Sequence, residues 1–142
     1  MQIREIEFSK MEGCGNSFVV TADMHCSGID WQALSRRLCD PHYGVGSDGL
    51  MVVKPSTRAD FEICMVNPDG SLMGMCGNGI RCVSRYVGLY GLAPAATTSL
   101  RFEVEGRLLK CRLLPEGNLI KVDLAEPAFA PESLPIEWEE EF

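Results

Sequence analysis

The stretch from Ile80 to Gly91 constrains this chain more than any other segment. Ile80, Val83, Tyr86, Val87 and Tyr90 fall at i, i+3, i+6, i+7 and i+10, with Arg81, Ser84, Arg85 and Gly88 on the other side. That spacing predicts an amphipathic helix with a broad buried face, ended by Gly91 and Pro94. Its neighbours read as short strands. Ile6 and Phe8 open an alternating stretch running to Met11, and Ser17–Ala22 is rich in β-branched and aromatic residues. Leu50–Val53 is a short apolar run, and Phe61, Ile63 and Met65 alternate with Glu62, Cys64 and Val66 before the Asn67-Pro68-Asp69-Gly70 turn. Strands are expected over Thr98–Glu105, Leu108–Leu114 and Leu119–Leu124, separated by turns at Gly106 and at Pro115–Asn118. A second helix is expected from Trp31 to Cys39, capped by Asp30 and stopped by Pro41. About seven strands and two helices make an α+β domain, and the hairpin spacing argues for an antiparallel or mixed sheet.

Composition bounds the function classes. Apolar residues are 46% and charged residues 23% of the chain, as in a core-forming globular domain. Apolar runs such as Leu50–Val53 fall far short of the ~18 residues that span a bilayer as a helix, so no membrane association is expected. The net charge is −7, and Glu132, Glu137, Glu139, Glu140 and Glu141 gather at the end without Lys or Arg. That balance argues against nucleic-acid binding, which needs clustered basic residues. With Pro127, Pro131 and Pro135, the segment 128–142 reads as an acidic linker, or the start of a further domain, after a domain over 1–127. The charged N-terminus lacks the apolar stretch of a secretory signal, and the odd count of seven cysteines suits free thiols in a reducing, cytoplasmic setting. Without a Cys-x-x-Cys pair and with two histidines, no metal site is expected.

Three glycine-rich segments invite a chemical reading. Gly44-Val45-Gly46-Ser47-Asp48-Gly49 matches the dinucleotide pattern in letters, but a helix precedes it and a strand follows, the reverse of what pyrophosphate binding requires. It reads as a tight loop. Gly13-Cys14-Gly15-Asn16 reads as a sharp turn between strands, with Cys14 a small filler at the bend and Asn16 placed to offer its amide to a ligand. Met75-Cys76-Gly77-Asn78-Gly79 is the informative segment, because it puts Cys76 at or next to the N-terminus of the amphipathic helix. A free thiol titrates at about 8.5, and a helix N-terminus lowers such values. Gly77 and Gly79 leave backbone N–H groups for a carboxylate or an enolate-like intermediate. On the residues alone, a reactive Cys76 and a buried cysteine at a glycine bend both stand. Cys82, inside the helix, reads as core.

Five blocks in order give a more specific indication. Phe8–Phe18, Gly44–Leu50, Asn67–Ser71, Met75–Cys82 and Val122–Pro127 resemble the corresponding blocks of the diaminopimelate epimerases. The resemblance implies a cofactor-independent epimerase acting on a small amino-acid substrate, LL- to meso-diaminopimelate, in lysine and peptidoglycan precursor synthesis. It implies one of two similar domains, each a curled sheet wrapped around a central helix. It further implies that Cys76 is one of two opposed acid/base cysteines, that Asn16 and Asn67 contact the substrate's polar groups, and that Gly77 and Asn78 hold its α-carboxylate. Ser17 stands where the family usually has Asp, and Leu72 and Gly74 where acidic residues are common. The resemblance covers only the first half of the family pattern. The second thiol is therefore expected from a C-terminal domain, from another chain, or from a second copy pairing face to face, and the polypeptide alone is expected to be inactive. Two other readings are an epimerase or racemase for a different amino acid and a catalytically silent binding module of the same fold.

Overall fold

A computed structural model describes residues 5–25, 27–114, 119–124, 126–127 and 129–130. The expected acidic linker at 128–142 lies outside these residues apart from Phe129 and Ala130. Nine elements follow one another: β1 (Ser9–Gly13), β2 (Asn16–Ala22), α1 (Trp31–Leu38), β3 (Leu50–Lys54), β4 (Phe61–Val66), α2 (Gly77–Leu89), β5 (Ser99–Val104), β6 (Arg107–Leu113) and β7 (Ile120–Asp123). The strands form a seven-stranded sheet in chain order. It is mixed. β2 runs parallel to β3, and β4 parallel to β5, across the two helical crossovers, while the hairpin-linked neighbours are antiparallel.

Why the sheet curls follows from α2. The helix buries Gly79, Ile80, Cys82, Val83, Ser84, Tyr86 and Val87, an arc too wide for a flat sheet to cover. Both edge strands reach it: α2 packs against β1 and β2 on one side and against β6 and β7 on the other. The concave face supplies Phe18, Val20, Met51, Val53, Ile63, Met65, Phe102, Val104, Cys111 and Val122 to this core. Ser84, expected on the polar side, is instead fully buried. Its hydroxyl donates to the Ile80 carbonyl one turn back at 2.8 Å, which supplies the partner a buried hydroxyl needs. Removing methyl groups at the centre of this arc opens a cavity. Val83→Ala is expected to lower stability by about 1–3 kcal/mol, read as a lower urea midpoint at unchanged slope.

α1 covers part of the convex face, where Trp31 and Cys39 pack with Val19, Leu50, Val52 and Val66 in a second apolar cluster. β2 and β3 are thus buried on both sides, which explains their uninterrupted apolar runs. Asp30 caps α1 by accepting the Ala33 N–H at 2.9 Å, and Arg36 and Arg37 sit in its last turn, where cations suit the dipole. The Gly44–Gly49 segment is a loop between α1 and β3, with Gly46 at φ 72°. No helix among the described residues is long and apolar enough to cross a membrane.

Candidate active site

The pairing register gathers the polar candidates at one rim of the sheet. β2 and β3 are parallel and β4 runs opposite, so the starts of β2 and β3 lie beside the end of β4. Asn16 opens β2, Asp48 precedes β3, and Asn67 follows β4. The N-terminus of α2 comes to the same rim, since Asn78 Nδ2 donates to Asn16 Oδ1 at 2.9 Å.

Asn16 owes its place to the hairpin before it. Gly13 pairs with Asn16, leaving Cys14 and Gly15 as a two-residue turn with φ of 54° and 85°. Both angles are positive, which is the backbone that matches the twist of a two-residue hairpin. Cys14 is therefore exposed at a turn tip and fills no core gap. Gly13 has a separate reason. A Cβ there would stand 3.2 Å from the Asn78 carbonyl oxygen, so its absence lets β1 lie against the first turn of α2.

Cys76 is the N-cap of α2. Its backbone is extended (φ −142°, ψ 107°), and its Sγ accepts the Gly79 N–H at 3.4 Å. The sulfur is half-buried, at the positive end of a 13-residue helix whose first turn holds no acidic residue. Gly77 and Asn78 follow it, so three of the expected site residues are consecutive and Asn16 joins them by hydrogen bond. Gly79 has a different role from the one its position suggests. Its N–H is taken by Cys76, and a Cβ there would stand 2.4 Å from Met51 Cε, so the glycine serves core packing and not a ligand cradle.

Asn67 shares the rim but belongs to another network. Its Nδ2 donates to Ser71 Oγ at 2.9 Å, and its carbonyl accepts from Ser35 Oγ at 2.9 Å and from the Gly70 N–H. These bonds brace the 67–70 turn against α1. Two residues that sequence reasoning set aside do touch the site. Asp48 Oδ2 accepts the Ser17 N–H at 2.7 Å and lies 3.4 Å from Asn16 Nδ2. Arg81 donates to Asn78 Oδ1 at 3.3 Å. The i, i+3 spacing of Asn78 and Arg81 was the legible signal for the second; Asp48 was hidden in a loop read only for its glycines.

The other thiols divide by burial. Cys39, Cys82 and Cys111 are buried, and Cys64 is half-buried. Burial, with the Glu12 carboxylate and the Cys76 sulfur adding to it, pushes Cys82 up to about 11. Burial also raises Cys64 and Cys111. Iodoacetamide at pH 8 is therefore expected to label Cys76 and Cys14 in the folded chain and to reach Cys82 and Cys111 only after denaturation, as peptide mass mapping would read out.

A sequence model of the family described as diaminopimelate epimerase matches residues 8–130. Among curated relatives, the diaminopimelate epimerase of Carboxydothermus hydrogenoformans is 39% identical over 140 residues, covering 96% of this chain and 50% of that protein. That of Elusimicrobium minutum is 40% identical over 131 residues, covering 92% and 46%. The chain thus spans about half the length of the curated relatives it matches. Solved structures show the same fold at low identity. A Bacillus anthracis phenazine biosynthesis protein of the PhzF family aligns with a TM-score of 0.62 at 19% identity, covering 82% of this chain and 38% of that one. A hydroxyproline epimerase from Agrobacterium vitis aligns at 0.61 and 14% identity, covering 81% and 40%.

Proposed function

The chain belongs to the diaminopimelate epimerase family, and on that premise we propose that it forms one wall of a cofactor-independent epimerase site that interconverts LL- and meso-diaminopimelate. The observation that carries the reading is Cys76 at the N-cap of α2, flanked by Gly77 and Asn78 and joined through Asn78 to Asn16. In this reading the Cys76 thiolate takes the α-proton from one face of the substrate. The electron pair of the broken C–H bond passes into the α-carboxylate, which the N–H groups of Gly77 and Asn78 hold at the positive helix end. A second acid group on the opposite face then delivers a proton to the α-carbon, and the configuration inverts. Asn16 and Asn67 orient the substrate's polar groups.

The opposed group is assigned to the half of the family pattern that this chain does not span, or to a second copy. Cys39, Cys82 and Cys111 are unsuited to the role, being buried. Residues 1–127 are read as the domain and 128–142 as an acidic linker or the start of a further domain, in a cytoplasmic enzyme of lysine and cell-wall precursor synthesis.

The test follows α-hydrogen exchange of LL-diaminopimelate in deuterium oxide by proton NMR. The full chain is assayed alone and together with the C-terminal half of the Carboxydothermus hydrogenoformans relative. Exchange with inversion in the mixture and none in the chain alone is the result expected if the unspanned half supplies the opposed group, whereas exchange in the chain alone would assign that group to a second copy. Preferential exchange of another amino acid would overturn the substrate, and a Cys76 no more reactive than Cys82 would overturn the acid/base role.

A further inference from the structure

Four side chains form an ordered relay across the rim: Arg81 to Asn78, Asn78 to Asn16, and Asn16 to Asp48, at 3.3, 2.9 and 3.4 Å. We propose that Asp48 and Arg81 are positioning residues that fix the amide orientations of Asn16 and Asn78, and so decide which atoms these two amides present to the substrate. The inference deepens the epimerase reading and rests on it for the substrate's contact with Asn16 and Asn78.

The argument is one of polarity. An asparagine amide is nearly the same shape when turned over, so its orientation is set by its partners. Asp48 only accepts, so Asn16 must turn Nδ2 toward it, and Oδ1 then faces Asn78. Asn78 must answer with its own Nδ2, which leaves its Oδ1 facing away. Arg81 only donates and meets that oxygen. A carboxylate at one end and a guanidinium at the other admit one direction of the relay and exclude the reverse. Asp48 is itself anchored, because Oδ2 also accepts the Ser17 N–H at 2.7 Å. Each amide keeps one N–H and one lone pair outside the relay, in a fixed direction. A site that must hold an ammonium and a carboxylate in one pose gains from having those directions set before substrate arrives.

The relay is tested by recording side-chain amide signals of the ¹⁵N-labelled full chain. In Asp48→Ala the Asn16 pair is expected to shift, and the Asn78 pair with it, although Asn78 is one residue further along. Asp48→Asn keeps an oxygen that accepts from both donors and should return both pairs toward their original positions. Arg81→Met approaches from the other end and should move Asn16 through Asn78, with Arg81→Lys restoring it. An Asn78 pair unmoved in Asp48→Ala, or an Asn16 pair unmoved in Arg81→Met, would overturn the relay. In the active mixture Asp48→Ala should raise KM by about tenfold with a smaller change in kcat, and an unchanged KM would overturn the positioning of substrate. Absence of exchange in the unsubstituted mixture would strike the epimerase reading itself, while the amide spectra decide the relay independently.

Discussion

Cys76→Ala is expected to abolish α-hydrogen exchange in any assembly that carries it out, with little change in stability. A positioned acid or base contributes about 100- to 10,000-fold in rate. The structural cost is small because a thiol is a weak cap. Its Sγ accepts the Gly79 N–H at 3.4 Å, and losing that bond should lower stability by less than about 1 kcal/mol. Cys76→Ser separates the two roles. A hydroxyl caps a helix better than a thiol does, so the variant should be at least as stable as the original, yet it should remain inactive because a serine hydroxyl does not ionise near neutral pH. Exchange measured by deuterium incorporation, alongside urea denaturation of each variant, checks both halves. Activity surviving in Cys76→Ala would remove the sulfur from the mechanism.

Gly44→Ala should destabilise the fold by about 3 kcal/mol, a larger effect than a single methyl group causes elsewhere on the surface. A Cβ at this position would lie 2.1 Å from the Arg37 carbonyl oxygen, 2.7 Å from that of Leu38 and 2.9 Å from that of Asp40. All three are backbone atoms at the end of α1, so relief requires moving the helix terminus away from the loop. The loop is itself tied there: the Gly44 N–H bonds the Asp40 carbonyl, and the Val45 and Gly46 N–H groups bond that of Leu38. Displacing it also shifts Asp48, which holds the Ser17 N–H. The variant should therefore show a lowered urea midpoint and a moved Ser17 amide signal. Gly88→Ala is a suitable control, because a Cβ there meets nothing within 4 Å and a helical alanine is favoured.

The glycine-rich letters of 44–49 thus encode a close approach of backbone to backbone and not a phosphate cradle. That much was readable from element order, since a helix comes before the loop and a strand after it. The loop's other residue of interest was not. Nothing local marks Asp48 as a neighbour of Asn16, 32 positions away, and only the parallel pairing of β2 with β3 sets them side by side. Asn67 shows the converse. Its turn was legible from Asn-Pro-Asp-Gly, whereas its commitment to Ser35 depends on where α1 packs.

Local chemistry alone determined the short strands, both helices, the cap at Asp30, the place of Cys76 beside the start of α2, and the tight turn at Cys14–Gly15. Each rests on spacing or backbone freedom within a few residues, where side-chain period and glycine placement act directly. The tertiary structure decided which strands run parallel, that the sheet curls around α2, that Gly79 is emptied for Met51, and that four polar side chains align across the rim. These are long-range outcomes. They depend on how a helix buried over a wide arc forces the sheet to bend, and that bend brings the first residues of β2 and the first turn of α2 within hydrogen-bonding distance.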